Sequence, residues 1–137
     1  MSTIETAVPA PSSRTGAIAS WILSGVAIAF FVVDGAMKLV PFKEVTASMI
    51  ELGYDPGISQ GLGVLILACT ILYAIPRTSV LGAVLLTGLL GGAVATHLRV
   101  GSPVFSHLLF GVYLGFFVWG GVWLRDARLR AIFPVRG

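Results

Sequence analysis

The feature that most restricts how this chain can fold is a series of long apolar stretches with almost no charge inside them. Four such stretches occur, at residues 16–40, 57–75, 79–98 and 104–124. A helix of about 20 apolar residues crosses the hydrocarbon core of a bilayer. Backbone groups in lipid must pair within helices or closed barrels. The pattern therefore predicts an all-α integral membrane protein, a four-helix bundle with short loops.

Composition supports a bilayer as the main partner of the chain. Hydrophobic residues make up 56% of the 137 residues and charged residues 11%, and the mean hydropathy is +0.95. A water-soluble domain carries about 25% charged residues. The net charge of +3 is small and sits at the ends of the apolar stretches, which excludes nucleic-acid binding as the main role. The charge instead carries information about orientation.

The polar segments divide the chain into three parts. Residues 1–15 are rich in proline and serine, which predicts a disordered tail. Residues 16–125 form the predicted four-helix transmembrane domain, and residues 126–137 form a basic tail. Between the first two spans, residues 41–56 contain apolar side chains at helical spacing, which predicts a short interfacial helix.

Basic residues are distributed unevenly between the two sides of the predicted bundle. Arg14, Arg77 and the arginines of the C-terminal tail lie on one side, whereas Lys38, Lys43 and Arg99 lie on the other. The side richer in basic residues is normally cytoplasmic. Both termini are therefore predicted to be cytoplasmic, in a bacterial cytoplasmic membrane.

Small residues recur four positions apart on two of the spans. Gly88 and Gly92 form one pair on the third span, and Gly111 and Gly115 form another on the fourth. Such pairs let membrane helices approach closely. We therefore expect these four glycines to lie at helix contacts, within the chain, in a homo-oligomer or against other subunits.

One pair of charged residues lies inside the first span. Asp34 and Lys38 are four residues apart, with the acid first, which favours an ion pair on one helix face. Asp34 lies about 9 Å from the end of the span at 1.5 Å per residue. A charge at that depth requires a partner and faces the bundle rather than lipid.

The polar residues of three spans meet on one side of the membrane. His97 and Arg99 end the third span, and His107 lies one turn into the fourth, on the same side as Asp34 and Lys38. A histidine beside a carboxylate can move protons, and a cation can hold an anionic group or a quinone oxygen. We assign Asp34, His97 and His107 as candidate catalytic residues, and Lys38 and Arg99 as candidate substrate-binding residues.

Other uses of these polar residues remain open. The Asp34–Lys38 pair could simply fix the bundle, and metal ligation by His97, His107 and Asp34 lacks local ligand spacing, so no metal site is assigned. Cys69 is the only cysteine, which excludes a disulfide within the chain.

Several segments together resemble one family of small membrane proteins. They are Asp34-Gly35-x-x-Lys38, Tyr73 to Thr78, Leu81-Gly82-Ala83, Gly91 to Arg99, Trp119-Gly120-Gly121 and Leu124-Arg125-Asp126. In this order they resemble the DoxX-like family, over about residues 17–134. Members of the wider DoxX and DoxD group are associated with thiosulfate:quinone oxidoreductase, so the resemblance implies a quinone-linked redox role and quinone as the cofactor or ligand. Asp34, Lys38, His97 and Arg99 are the polar positions that match.

The residues and the resemblance together predict a subunit or accessory factor of a quinone-linked membrane oxidoreductase, with a polar pocket near the extracytoplasmic side. With one cysteine, the chain needs a partner or a bound quinone as electron acceptor. Two alternatives stay open. The first is a non-catalytic structural or assembly subunit of a larger membrane complex, and the second is a carrier for a small solute or protons.

Overall fold

The structure is entirely helical over the residues that it describes. It is a computed structural model that describes residues 14–40, 42–103, 105–106 and 109–135. Six α-helices follow one another, with single 3-10 turns at Pro56–Ile58 and Pro76–Thr78. The helices are α1 (Arg14–Leu39), α2 (Lys43–Glu51), α3 (Ser59–Ala74), α4 (Ser79–Val100), α5 (Phe110–Arg125) and α6 (Ala127–Ile132).

Three helical segments in the described part of the chain are long and apolar enough to cross a membrane. They are Arg14–Leu39, Pro56–Ala74 and Pro76–Val100, which supports the predicted integral membrane character. The predicted fourth span, residues 104–124, stays a prediction, because residues 104 and 107–108 lie outside the described residues; within it, α5 begins at Phe110 and has 16 residues. At 1.5 Å per residue it is about 24 Å long, shorter than a typical hydrocarbon core.

The polar segments agree with the sequence prediction in part. The short helix predicted within residues 41–56 is α2. Helix α1 begins at Arg14, at the end of the segment predicted as the N-terminal tail, and α6 lies within the predicted basic C-terminal tail. Asp126 caps α6 by accepting hydrogen bonds from the backbone N–H groups of Arg128 and Leu129. Residues 1–13 and 136–137 lie outside the described residues.

The four long helices pack as a ring. Helix α1 packs against α3 and α5, and α4 packs against the same two helices, so α1 and α4 lie across the bundle from each other. The chain direction alternates, so the ends of α1 and α4 and the beginnings of α3 and α5 share one end with α2. We call this the loop end, and the opposite end, where α1 begins and α5 ends, the termini end.

A glycine allows close approach at each of the four helix interfaces. A methyl group at Gly63 would lie 2.7 Å from the carbonyl oxygen of Gly35, for example, so a larger residue would force α3 away from α1. Close packing at small residues is the main source of helix association in lipid. The glycines are Gly35 and Gly63 between α1 and α3, Gly82 between α3 and α4, Gly111 between α4 and α5, and Gly121 between α1 and α5.

This arrangement gives different outcomes for the four glycines that we expected at helix contacts. Gly111 packs closely, because its missing side chain makes room for Val94 and the backbone of Leu90. Methyl groups added at Gly88, Gly92 or Gly115 would meet no heavy atom of a neighbouring helix within 4 Å among the described residues. The packing predicted there is therefore absent within the described chain.

Buried hydroxyl groups connect three helices near the termini end. Tyr73 donates a hydrogen bond to the carbonyl oxygen of Val118 over 2.7 Å, and its hydroxyl is 2.7 Å from the hydroxyl of Ser24. Arg125 donates to Ser24 over 2.6 Å, and its guanidinium lies 4.2 Å from the centre of the Trp21 ring. Every member of this network has a partner, as burial in a membrane bundle requires.

Removing the Tyr73 hydroxyl should weaken the bundle without changing its shape. In Tyr73→Phe the bonds to Ser24 and Val118 are lost, and we expect the free energy of unfolding to fall by about 1 kcal/mol, since each membrane hydrogen bond contributes about 0.6 kcal/mol. Denaturant titration in micelles measures the change. Tyr113→Phe is the matched control, because Tyr113 is 42% exposed. Equal stability of the two variants would contradict this account.

Candidate functional site

A cavity at the loop end gathers several of the predicted polar residues. Its volume is about 410 Å³, and it lies among α1, α3, α4 and α5 below α2. Most of its wall is apolar or aromatic, with Phe30, Phe31 and Phe110 among the lining side chains. The polar side chains that line it are Asp34, Lys38, Tyr54, Thr96 and His97.

The ion pair predicted from helical spacing is confirmed. Lys38 Nζ donates a hydrogen bond to Asp34 Oδ1 over 2.6 Å, and both side chains are about a quarter to a third exposed. The pair also borders a second cleft of about 240 Å³ between α1 and α2, which Glu44 and Ser48 line. Asp34 and Lys38 therefore lie in the wall between the inner cavity and the outer cleft.

His97 lies at the C-terminal end of α4, in the wall of the same cavity. Its Nδ1 is 2.9 Å from the hydroxyl of Ser102. The chain can turn back to place Ser102 there because Gly101 has a φ of 73°, a left-handed conformation that favours glycine. The hydrogen bond to Ser102 orients the imidazole ring of His97, which is partly buried.

The structure places Arg99 elsewhere. It is absent from the residues that line the cavity, and its Nη2 donates a hydrogen bond to the carbonyl oxygen of Leu52 over 3.0 Å. Gly53, with a φ of 85°, makes the turn after α2, and a methyl group there would lie 3.0 Å from Arg99 Nη2. Arg99 thus holds the end of α2 against the end of α4. Its predicted role in substrate binding remains a prediction.

Two polar residues of the cavity were not selected from the sequence. The Tyr54 hydroxyl lies 2.6 Å from Thr96 Oγ1, and Thr96 in turn donates to the carbonyl oxygen of Gly92 over 2.8 Å. Nothing in the local pattern around Tyr54 indicates a partner 42 residues away. The position of Thr96, four residues after Gly92 on the same helix face, was the available signal.

The remaining predicted residues fall into two groups. Gly88 and Gly92 line the cavity, where their missing side chains leave open space. His107 lies outside the described residues, so its assignment stays a prediction. Among the described residues, no three histidine, cysteine, aspartate or glutamate side chains lie close enough to hold a metal ion.

The arrangement can bind a flat, mostly apolar molecule that carries an electronegative group. Lys38 can donate a hydrogen bond to an oxygen atom, and Asp34 and His97 can exchange protons with it. The aromatic and aliphatic walls would cover the remainder of such a molecule. Ligand sites of about 300–1,000 Å³ commonly combine apolar walls with a few polar groups, and this cavity falls within that range.

Comparison with known proteins gives one match. The model of a family described as the DoxX-like family matches residues 22–121, which confirms the resemblance seen in the sequence. The matched segment covers about the last two thirds of α1, all of α2, α3 and α4, and most of α5. No curated protein and no solved structure matches the chain.

Proposed function

The chain belongs to the DoxX-like family, and we propose from this and from its cavity that it is a subunit or accessory factor of a quinone-linked membrane oxidoreductase. The observation that carries the proposal is an apolar cavity inside a membrane bundle whose wall contains the Asp34–Lys38 ion pair and His97. This combination suits a quinone head group, which has an apolar ring and carbonyl oxygens.

Lys38 is the residue that would hold a carbonyl oxygen. Its ammonium group keeps two N–H donors besides the one that contacts Asp34. The bond to Asp34 fixes the position of the ammonium group, so little side-chain freedom remains to be lost on binding. A bound quinone supplies the two-electron acceptor, which no side chain of this chain provides.

Asp34 and His97 would exchange protons with the head group. The carboxylate of Asp34 lies in the wall between the cavity and the α1–α2 cleft, where Glu44 is exposed. Protons could therefore pass from the surface near Glu44 to Asp34 without crossing the apolar part of the bundle. His97, oriented by Ser102, provides a second proton-exchanging group in the cavity wall.

A partner protein supplies the electrons in this proposal. Cys69 is the only cysteine and it is buried, so the chain has no dithiol of its own. The distribution of basic residues favours a cytoplasmic position for the termini end in a bacterial cell. The cavity and its α1–α2 cleft would then be at the extracytoplasmic side of the membrane.

Quinone binding by the isolated protein tests the proposal. We expect about one quinone per chain to co-purify with the protein in lipid nanodiscs, detected by native mass spectrometry and by extraction. His97→Gln should weaken rebinding of an added short-tailed ubiquinone by about fivefold, since one hydrogen bond contributes about 1 kcal/mol. Arg77→Gln, which removes an exposed charge at the termini end, should not affect it. Absence of both co-purified quinone and saturable binding would refute the proposal.

One observation favours a second candidate, a structural or assembly subunit. Methyl groups added at Gly88, Gly91 and Gly92 would meet no heavy atom of another helix within 4 Å among the described residues. A helix of another subunit could pack on this exposed surface of α4. If Gly91→Leu prevented co-purification of a partner subunit while quinone binding persisted, both roles would hold. If no quinone bound at all, this candidate would replace the first.

A further inference from the structure

The cavity has a cover at the loop end. Helix α2 and the turn after it lie over it, and the side chain of Met49, 4% exposed, points into it. Two contacts hold this cover against α4, namely the 2.6 Å contact of Tyr54 with Thr96 and the 3.0 Å bond from Arg99 to the Leu52 carbonyl. This cover favours a route for a ligand through the side of the bundle.

The side of the cavity between α3 and α4 offers that route. The two helices touch near the termini end, where Gly82 packs on the backbone of Tyr73. Leu89 and Thr96 follow Gly82 at intervals of seven residues, so they lie on the same side of α4. Both line the cavity. The helices are therefore in contact at Gly82 and separated by the cavity from Leu89 onward.

The cavity continues around α4 toward its outer surface. Leu90 is 8% exposed and points into the core of the bundle. Gly88 and Gly92 are each two residues away from Leu90, about 200° around the helix at 100° per residue, and both still line the cavity. The wall of the cavity thus extends from the core side of α4 to the side that faces lipid.

Glycine at these two positions leaves the side of the cavity open. A methyl group added at Gly88 or Gly92 would meet nothing within 4 Å, so no side chain of a neighbouring helix occupies that space among the described residues. On the opposite wall, Ile58, Leu62 and Ile66 of the α3 segment present an apolar row. An apolar chain could lie between this row and the two glycines.

We infer that the cavity opens sideways into the bilayer between α3 and α4, past Gly88 and Gly92, and that its ligand is a membrane-resident amphiphile whose tail leaves through this opening. The identity of the head group rests on the proposed function, whereas the opening rests on the contacts described above. The head group lies near Lys38 and the tail stays in lipid, so the ligand is bound without passing through water.

Binding of two related probes tests the opening. The probes are a tail-less ubiquinone head group and a ubiquinone with a polyisoprenoid tail, each added to the protein in nanodiscs. Gly92→Leu should weaken binding of the tailed probe about tenfold, as expected if the new side chain displaces about two methylene groups of the tail. Binding of the tail-less probe should stay unchanged. Gly61→Leu is the matched control, because Gly61 on α3 is exposed and also has open space around it.

Two results would overturn the inference. Equal loss of both probes would place Gly92 in the head-group site, and unchanged binding of both would place the tail elsewhere. If the wild-type protein bound neither probe, the proposed function would fail, and a measurement without quinone would then decide about the opening.

That measurement uses a fluorescent label inside the cavity. Ala93 lines the cavity on α4, and a bimane can be attached to Ala93→Cys after Cys69→Ala removes the native thiol. Phospholipids with brominated acyl chains should quench the label through the lateral opening, and Gly92→Leu should reduce the quenching. An unquenched label, or quenching that does not respond to Gly92→Leu, would show that acyl chains do not enter there.

Discussion

Lys38→Met is expected to lower the free energy of unfolding by about 2 kcal/mol and to abolish quinone binding. The substitution keeps the length of the side chain but leaves the carboxylate of Asp34 without its 2.6 Å partner at a depth where charges are costly. Loss of one partner from a fully buried pair costs about 3–5 kcal/mol. The pair is partly exposed here, which reduces that cost. Denaturant titration and quinone binding measure the two effects.

Exchanging the two residues separates folding from recognition. The double variant Asp34→Lys/Lys38→Asp keeps an ion pair at the same spacing, so most of the stability lost in Lys38→Met should return. The cation, however, moves four residues, about 6 Å along the helix at 1.5 Å per residue. Quinone binding should therefore stay absent. Recovery of binding together with stability would mean that the pair is structural and that Lys38 does not recognise the ligand.

The helices and the ion pair could be predicted because they depend on local sequence. Long uncharged stretches determine where membrane helices lie, and spacing of four residues places Asp34 and Lys38 on one face. The start of the fourth span at Val104 stays a prediction, because residues 104 and 107–108 lie outside the described residues, and the α-helix that the structure describes there begins at Phe110.

The cover over the cavity could not be predicted because it depends on contacts between distant residues. Arg99 and Leu52 are 47 residues apart, and Tyr54 and Thr96 are 42 residues apart. Their meeting depends on how α2 folds back over the bundle after the turn at Gly53. Sequence pattern placed Arg99 at the same end of the bundle as Asp34 and His97, but it could not show that its guanidinium faces a backbone carbonyl instead of the cavity.

The glycines also show that a sequence pattern does not determine which residues are in contact. One spacing pattern describes Gly111, which packs on α4, and Gly92, which borders open space. A pattern identifies which residues share a helix face, but the neighbour of that face depends on how the helices are tilted. Here α3 and α4 are in contact at Gly82 and separated near Gly92. One glycine of α4 therefore allows close helix packing, and another borders open space.

Gly82→Val is expected to prevent assembly of the bundle, with a loss of more than about 3 kcal/mol in the free energy of unfolding. The first carbon of any side chain at Gly82 would overlap the backbone of Tyr73, and backbone atoms of a packed helix cannot move aside as a flexible side chain can. Overpacking of a core commonly costs about 1–3 kcal/mol. A clash with backbone should cost as much as the upper end of that range or more.

The matched control is Gly88→Val, on the same helix but with open space around it. Both variants add the same β-branched side chain to α4, so any intrinsic effect on the helix is shared, and the difference between them reports the contact with α3. Gly88→Val should fold normally and show its effect in binding of the tailed ubiquinone. Size-exclusion chromatography and denaturant titration compare their folding. Equal stability of the two variants would mean that α3 and α4 are not held together at Gly82. The separation of the two helices near Gly92, which opens the cavity sideways, would then have no structural explanation.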